Sequence, residues 1–192
     1  LITWFRILLI PLVVAVFYAP GSWLTLQERN LAATIIFAVA AVTDWLDGYL
    51  ARSLNQTSAF GAFLDPVADK LMVAVALFLI VQQNPTPVMA VASAVIVGRE
   101  ISISALREWM AELGQRARVA VANVGKIKTI VQMVALGFLL YREPLLGIPV
   151  FLVGEWLLAA AAILTLWSGF EYARAAWPVL RSEETKGVDS QG

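Results

Sequence analysis

Hydrophobic residues fill 60% of the 192 positions and charged residues only 15%, against about 25% charged in soluble domains. With a mean hydropathy of +0.77, this excludes an ordinary soluble fold and predicts an integral membrane protein. The 14 basic and 14 acidic residues cancel, and Cys and His are absent. A global field for nucleic acid is thereby excluded, as are thiolate nucleophiles, imidazole bases and the usual N/S zinc sites.

In chain order, apolar segments run from Leu1 to Tyr18, Leu31 to Arg52, Phe60 to Val81, Val88 to Met110, Val124 to Tyr141 and Ile148 to Arg174. They predict an all-α integral membrane protein, one domain over 1–181 built of six transmembrane helices. Pro20-Gly21, Asn84-Pro85 with Pro87, and Pro144 with Gly147 and Pro149 supply helix-breaking turns between segments. Residues 182–192 are polar and read as a disordered tail. The start, on Leu1, shows no cleavable signal pattern. Trp4, Trp23, Trp109 and Trp177 fall near segment ends, as interfacial anchors do.

An even helix count puts both termini on one side. Arg6, Arg52, Lys70, Arg99, Arg107, Arg116, Arg118, Lys126, Lys128, Arg174, Arg181 and Lys186 fall near that face. Arg29 and Arg142 fall on the other, beside Glu28 and Glu143. The positive-inside rule therefore predicts cytoplasmic termini, with the 53–59 and 111–123 loops on the same side.

Four carboxylates, Asp44, Asp47, Asp65 and Asp69, stand at the predicted cytoplasmic ends of the second and third segments. A charge at mid-bilayer costs about 2.5 to 3.5 kcal/mol on insertion scales, so such groups point to function. On a helix, Asp44 and Asp47 lie about 60° apart and Asp65 and Asp69 about 40° apart. Two facing pairs would form an oxygen-only site for hard cations such as Mg²⁺ or Mn²⁺, able to clamp a diphosphate. Gly48 and Ala51 share the face of the first pair and leave its backbone bare, while Arg52 can neutralise phosphate. Pro66 either lies inside a helix, freeing the Ala62 carbonyl, or opens one in its first turn. The bland reading makes the aspartates helix-end charges paired with Arg52 and Lys70, and the small residues packing contacts.

Written out, the stretch reads D-x2-D-G-x2-A-R-x8-G-x3-D-x3-D, from Asp44 through Gly61 to Asp69. It resembles the full signature of the CDP-alcohol phosphatidyltransferase family. The resemblance implies the helix bundle of that family, a homodimer, two divalent cations, and attack of an alcohol on the β-phosphorus of a CDP-linked lipid with release of CMP. It implies Asp44, Asp47, Asp65 and Asp69 as metal ligands, with Asp69 also the base. Gly48, Ala51, Arg52 and Gly61 would line the cytidine diphosphate pocket, and Thr3 and Arg6, in LITWFR, resemble family positions near the nucleotide phosphates.

The acceptor side is read from 98–132. One arc of the fourth segment carries Arg99, Glu100, Ser104 and Arg107, and the fifth carries Lys126, Lys128, Thr129 and Gln132. Arg99, Arg107, Lys126 and Lys128 are candidate ligands for a phosphate on the acceptor. Arg116 and Arg118 are read as flanking charge. LREWMAELG and GKIKTIVQM resemble the bacterial phosphatidylglycerophosphate synthase branch, which implies CDP-diacylglycerol and sn-glycerol 3-phosphate as substrates. Another acceptor, such as inositol phosphate or serine, is the near alternative. A cation channel or transporter would spread its acids through the membrane depth. A prenyltransferase would carry differently spaced Asp-rich boxes.

Overall fold

The computed structural model describes residues 2–54, 59–113 and 123–189, with side chains for 4–44, 64, 67–113 and 127–178. Among them it is all-helical: α1 (Ile2–Phe17), α2 (Leu26–Leu54), α3 (Ala59–Gln83), α4 (Pro87–Glu112), α5 (Asn123–Tyr141) and α6 (Val150–Asp189). Each predicted segment forms one helix. The sixth runs further than expected, through Pro178 and into the stretch read as a tail. Glu183, Glu184 and Lys186 there are good helix formers, and they continue a helix already nucleated by its packed part.

Local chemistry sets the boundaries. Thr25 and Glu28 form a capping box at the start of α2: the Thr25 N–H donates to Glu28 Oε2 at 2.8 Å, and the Glu28 N–H donates to Thr25 Oγ1 at 3.3 Å. The Thr25 backbone bond also holds the Glu28 carboxyl below its ordinary pKa. Thr86 caps α4, accepting from the Met89 N–H at 3.2 Å, and Pro87 fills the first turn, where no N–H is needed. Between α5 and α6 the chain reverses at Leu145–Ile148, whose backbones exchange two hydrogen bonds. Leu146 (φ 53°) and Gly147 (φ 81°) both take positive φ, as the tight hairpin turn requires.

Helix α6 packs most extensively on α5 and also lies on α4; α1 packs on α2 and α3, and α2 reaches α5. Leu77, Ile80, Met89, Ile96, Leu136, Leu139 and Leu158 are fully buried at the centre. The exterior is equally apolar, with Leu8, Phe78, Val91, Trp156, Ile163 and Phe170 more than 60% exposed. Arg6, Asn30, Lys128 and Gln132 are buried instead. Apolar outside and polar inside inverts a soluble bundle and suits hydrocarbon surroundings. Among the described residues, α4 and the Val150–Pro178 part of α6 are long and apolar enough to cross a membrane, and Trp4–Phe17 and Ile127–Tyr141 are shorter apolar helices.

The α5–α6 seam closes over Gly154. A Cβ there would stand 2.9 Å from Leu139 Cγ and 3.1 Å from Phe138 Cβ, whereas one at Gly137 would meet nothing within 4 Å. Gly154→Ala is therefore expected to destabilise the bundle by about 1 to 3 kcal/mol through overpacking. Gly137→Ala should be neutral or mildly stabilising. Thermal unfolding of the two variants in detergent checks the contrast; equal midpoints would contradict it.

Candidate active site

Four helices bring charge together at one end of the bundle. Arg6, near the start of α1, is 2% exposed and its guanidinium donates to the Asp44 carboxylate on α2, whose side chain is 44% exposed. A buried guanidinium needs a counter-charge, and a carboxylate supplies it in a charge-assisted bond. Asp69, on α3, is partly buried. The charges acting on it are Asp44, Arg6, Glu100 and Lys70. Carboxylates from α2, α3 and α4 thus share one electrostatic neighbourhood with Arg6.

Helix α2 is continuous through Asp47, Gly48, Ala51 and Arg52, and α3 through Gly61 and Asp65. In register, Asp47 follows Asp44 by three residues and Asp65 precedes Asp69 by four, spacings that share a helix face. The side chains of these residues lie outside the described ones, as do those of Thr3 on α1 and Lys126 on α5. Since α3 begins at Ala59, Pro66 lies inside the helix and not in its first turn. The carbonyl four residues back therefore lacks its usual donor beside the acidic residues. Asp44 and Asp69 offer oxygen only, and Asp44 already draws a cationic partner, which fits a site for hard divalent cations.

A second polar group spans α4, α5 and α6. Lys128, 4% exposed on α5, donates to Glu100 on α4. Arg99 Nη1 stands 3.6 Å from the same carboxylate, and Arg99 Nη2 donates to Ser168 Oγ on α6 at 3.0 Å. Ser168 in turn donates to the Thr165 carbonyl at 3.1 Å. The Arg99 stem crosses α6 at Gly169, where a Cβ would come 3.2 Å from its Cγ. Further toward the end of α4, the Arg107 guanidinium carbon lies 5.7 Å from the Tyr172 ring centroid, a cation–π geometry.

Arg99 and Lys128, read from two separate arcs, are thus joined through Glu100. The contribution of α6 escaped the sequence reading. Its signal was present, since Thr165, Ser168, Gly169 and Tyr172 recur at three- and four-residue spacing and mark one small or polar stripe on an apolar helix.

Known proteins share the pattern. A family model described as CDP-alcohol phosphatidyltransferase matches residues 1–167. A Shigella flexneri serotype 5b (strain 8401) protein named CDP-diacylglycerol--glycerol-3-phosphate 3-phosphatidyltransferase is 53% identical over 176 residues, 92% of each chain. A protein of the same name from Escherichia coli (strain K12) is 52% identical over the same share. With the signature, the helical bundle and most of the chain's length in agreement, this chain belongs to the CDP-alcohol phosphatidyltransferase family.

Proposed function

We propose that this protein transfers the phosphatidyl group of CDP-diacylglycerol to sn-glycerol 3-phosphate, giving phosphatidylglycerophosphate and CMP. The observation that carries the reading is the 53% identity, across 92% of both chains, to a relative whose name states that reaction. Six membrane spans, cytoplasmic termini in a bacterial inner membrane, and a homodimer complete the proposal. The apolar exterior of the helices supports residence in a bilayer.

In this reading Asp44, Asp47, Asp65 and Asp69 would hold two divalent cations, Mg²⁺ or Mn²⁺, which would supply positive charge to neutralise the diphosphate. Asp69 accepts the proton of the attacking hydroxyl, since no imidazole exists in the chain. Thr3, Arg6, Gly48, Ala51, Arg52 and Gly61 receive the cytidine diphosphate, the small residues by close approach and the arginines by charge. Arg99, Arg107, Lys126 and Lys128 receive the acceptor's phosphate. The burial of Lys128 and of most of the Arg99 side chain supports that role, because a cation kept from water binds an anion more strongly than an exposed one.

Purified protein given CDP-diacylglycerol and Mg²⁺ or Mn²⁺ is expected to release CMP with glycerol 3-phosphate and not with inositol, inositol phosphate or serine. Release with one of the others instead would keep the chemistry and overturn the acceptor. Chelation of divalent cations should stop release, and their return should restore it. Asp69→Asn is expected to lower turnover by at least roughly 100-fold, the scale of a lost general base, with the protein still folded. Wild-type turnover in that variant would refute the base assignment.

A further inference from the structure

Lys128 and Arg99 are two cations held inside an apolar bundle, and each is fixed by a group outside the proposed acceptor set. Lys128 donates to Glu100, and Arg99 is held by Ser168 on one side and lies 3.6 Å from Glu100 on the other. Left to themselves, two neighbouring cations in an apolar bundle repel. A carboxylate between them removes that difficulty and leaves one net positive charge. It does not exhaust their donors. Lysine has three N–H groups and arginine five, so donors remain for an anion after these bonds are made.

We propose that Glu100 and Ser168 are positioning residues for the acceptor's phosphate. Glu100 holds Lys128 in place, and Ser168 fixes Arg99 against α6 where Gly169 leaves room for its stem. The incoming phosphate then meets cations already ordered, and binding loses less conformational entropy than it would on mobile side chains. The inference rests on the glycerol 3-phosphate reading above. It adds two residues, one of them on a helix that no signature marks. The polar interior continues one turn below Lys128, where Gln132 is 4% exposed. Its buried Oε1 has no hydrogen-bond partner among the described residues.

A purely structural ion pair would stabilise the bundle without favouring one substrate. The experiment therefore separates the two Michaelis constants. Glu100→Gln and Ser168→Ala are compared with the wild-type enzyme by CMP release, varying glycerol 3-phosphate and CDP-diacylglycerol independently, with thermal midpoints measured alongside. For Glu100→Gln the acceptor KM is expected to rise roughly tenfold or more, as when one partner of a buried charge pair is truncated. For Ser168→Ala a rise of roughly threefold is expected from loss of one hydrogen bond. The donor KM should stay within about twofold for Ser168→Ala, and for Glu100→Gln, whose charge also acts on Asp69, it should change by far less than the acceptor KM.

If Glu100→Gln fails to fold, the swap Glu100→Lys with Lys128→Glu carries the test. It restores the pair with its charges exchanged, and should recover the thermal midpoint without recovering the acceptor KM. Recovery of both would reduce the pair to a structural tie and overturn the proposal, as would unchanged acceptor KM in both single variants. Absence of wild-type turnover with glycerol 3-phosphate would remove the acceptor reading itself, and the positioning roles with it.

Discussion

Every charge inside this bundle has to be answered by another, and that requirement organises the molecule. An ionised group in a low-dielectric interior is stable only when paired or hydrogen-bonded. Arg6 is answered by Asp44 and Lys128 by Glu100. Because partners sit on different helices, each pair also fixes how two helices face one another: α1 against α2, and α4 against α5. Apolar burial assembles the bundle without choosing its rotations, since the outside is as apolar as the core.

Catalysis uses the same requirement. The proposed transfer of a phosphatidyl group needs both signs of charge close together, acids for metal and base, and cations for phosphate. Left uncompensated, either set would be expelled or neutralised by proton transfer. Interleaving them lets each set support the other before substrate arrives. Arg6 belongs to both, lying against Asp44 while matching a position expected to face nucleotide phosphate.

Much of this was legible in the linear sequence. Six apolar runs, their turn residues and the eight fixed positions of the signature lie along the chain in order, and helical spacing turns them directly into faces. What was not legible is the rotation of one helix against another. The spacing of Arg99 and Glu100 places both near one arc of α4, yet it could not say that Lys128 of α5 meets Glu100, or that Ser168 of α6 meets Arg99. The hairpin at Leu145–Ile148 was visible through Gly147. The positive φ of Leu146 and of Arg142 was not, because neither residue favours it locally; the closing turn imposes it on one and the end of α5 on the other. The far end of α6 was missed for another reason. Composition reads a polar stretch as solvent-loving, but a helix already formed extends through good helix formers with little further loss of entropy.

The opposite end of the bundle has its own fastenings. Tyr18 donates to Gln82, Arg142 donates to Gln83 while standing 4.7 Å over the Phe151 ring, and Arg29 donates to the Ala19 carbonyl at 3.3 Å. None of these bonds joins two opposite charges. The fastenings at Asp44 and Glu100 are ionic, each tying a buried cation of one helix to a carboxylate of another. Loss of Asp44 or Glu100 would therefore leave a buried cation unanswered at the ionic end, while the ties of the opposite end would stand.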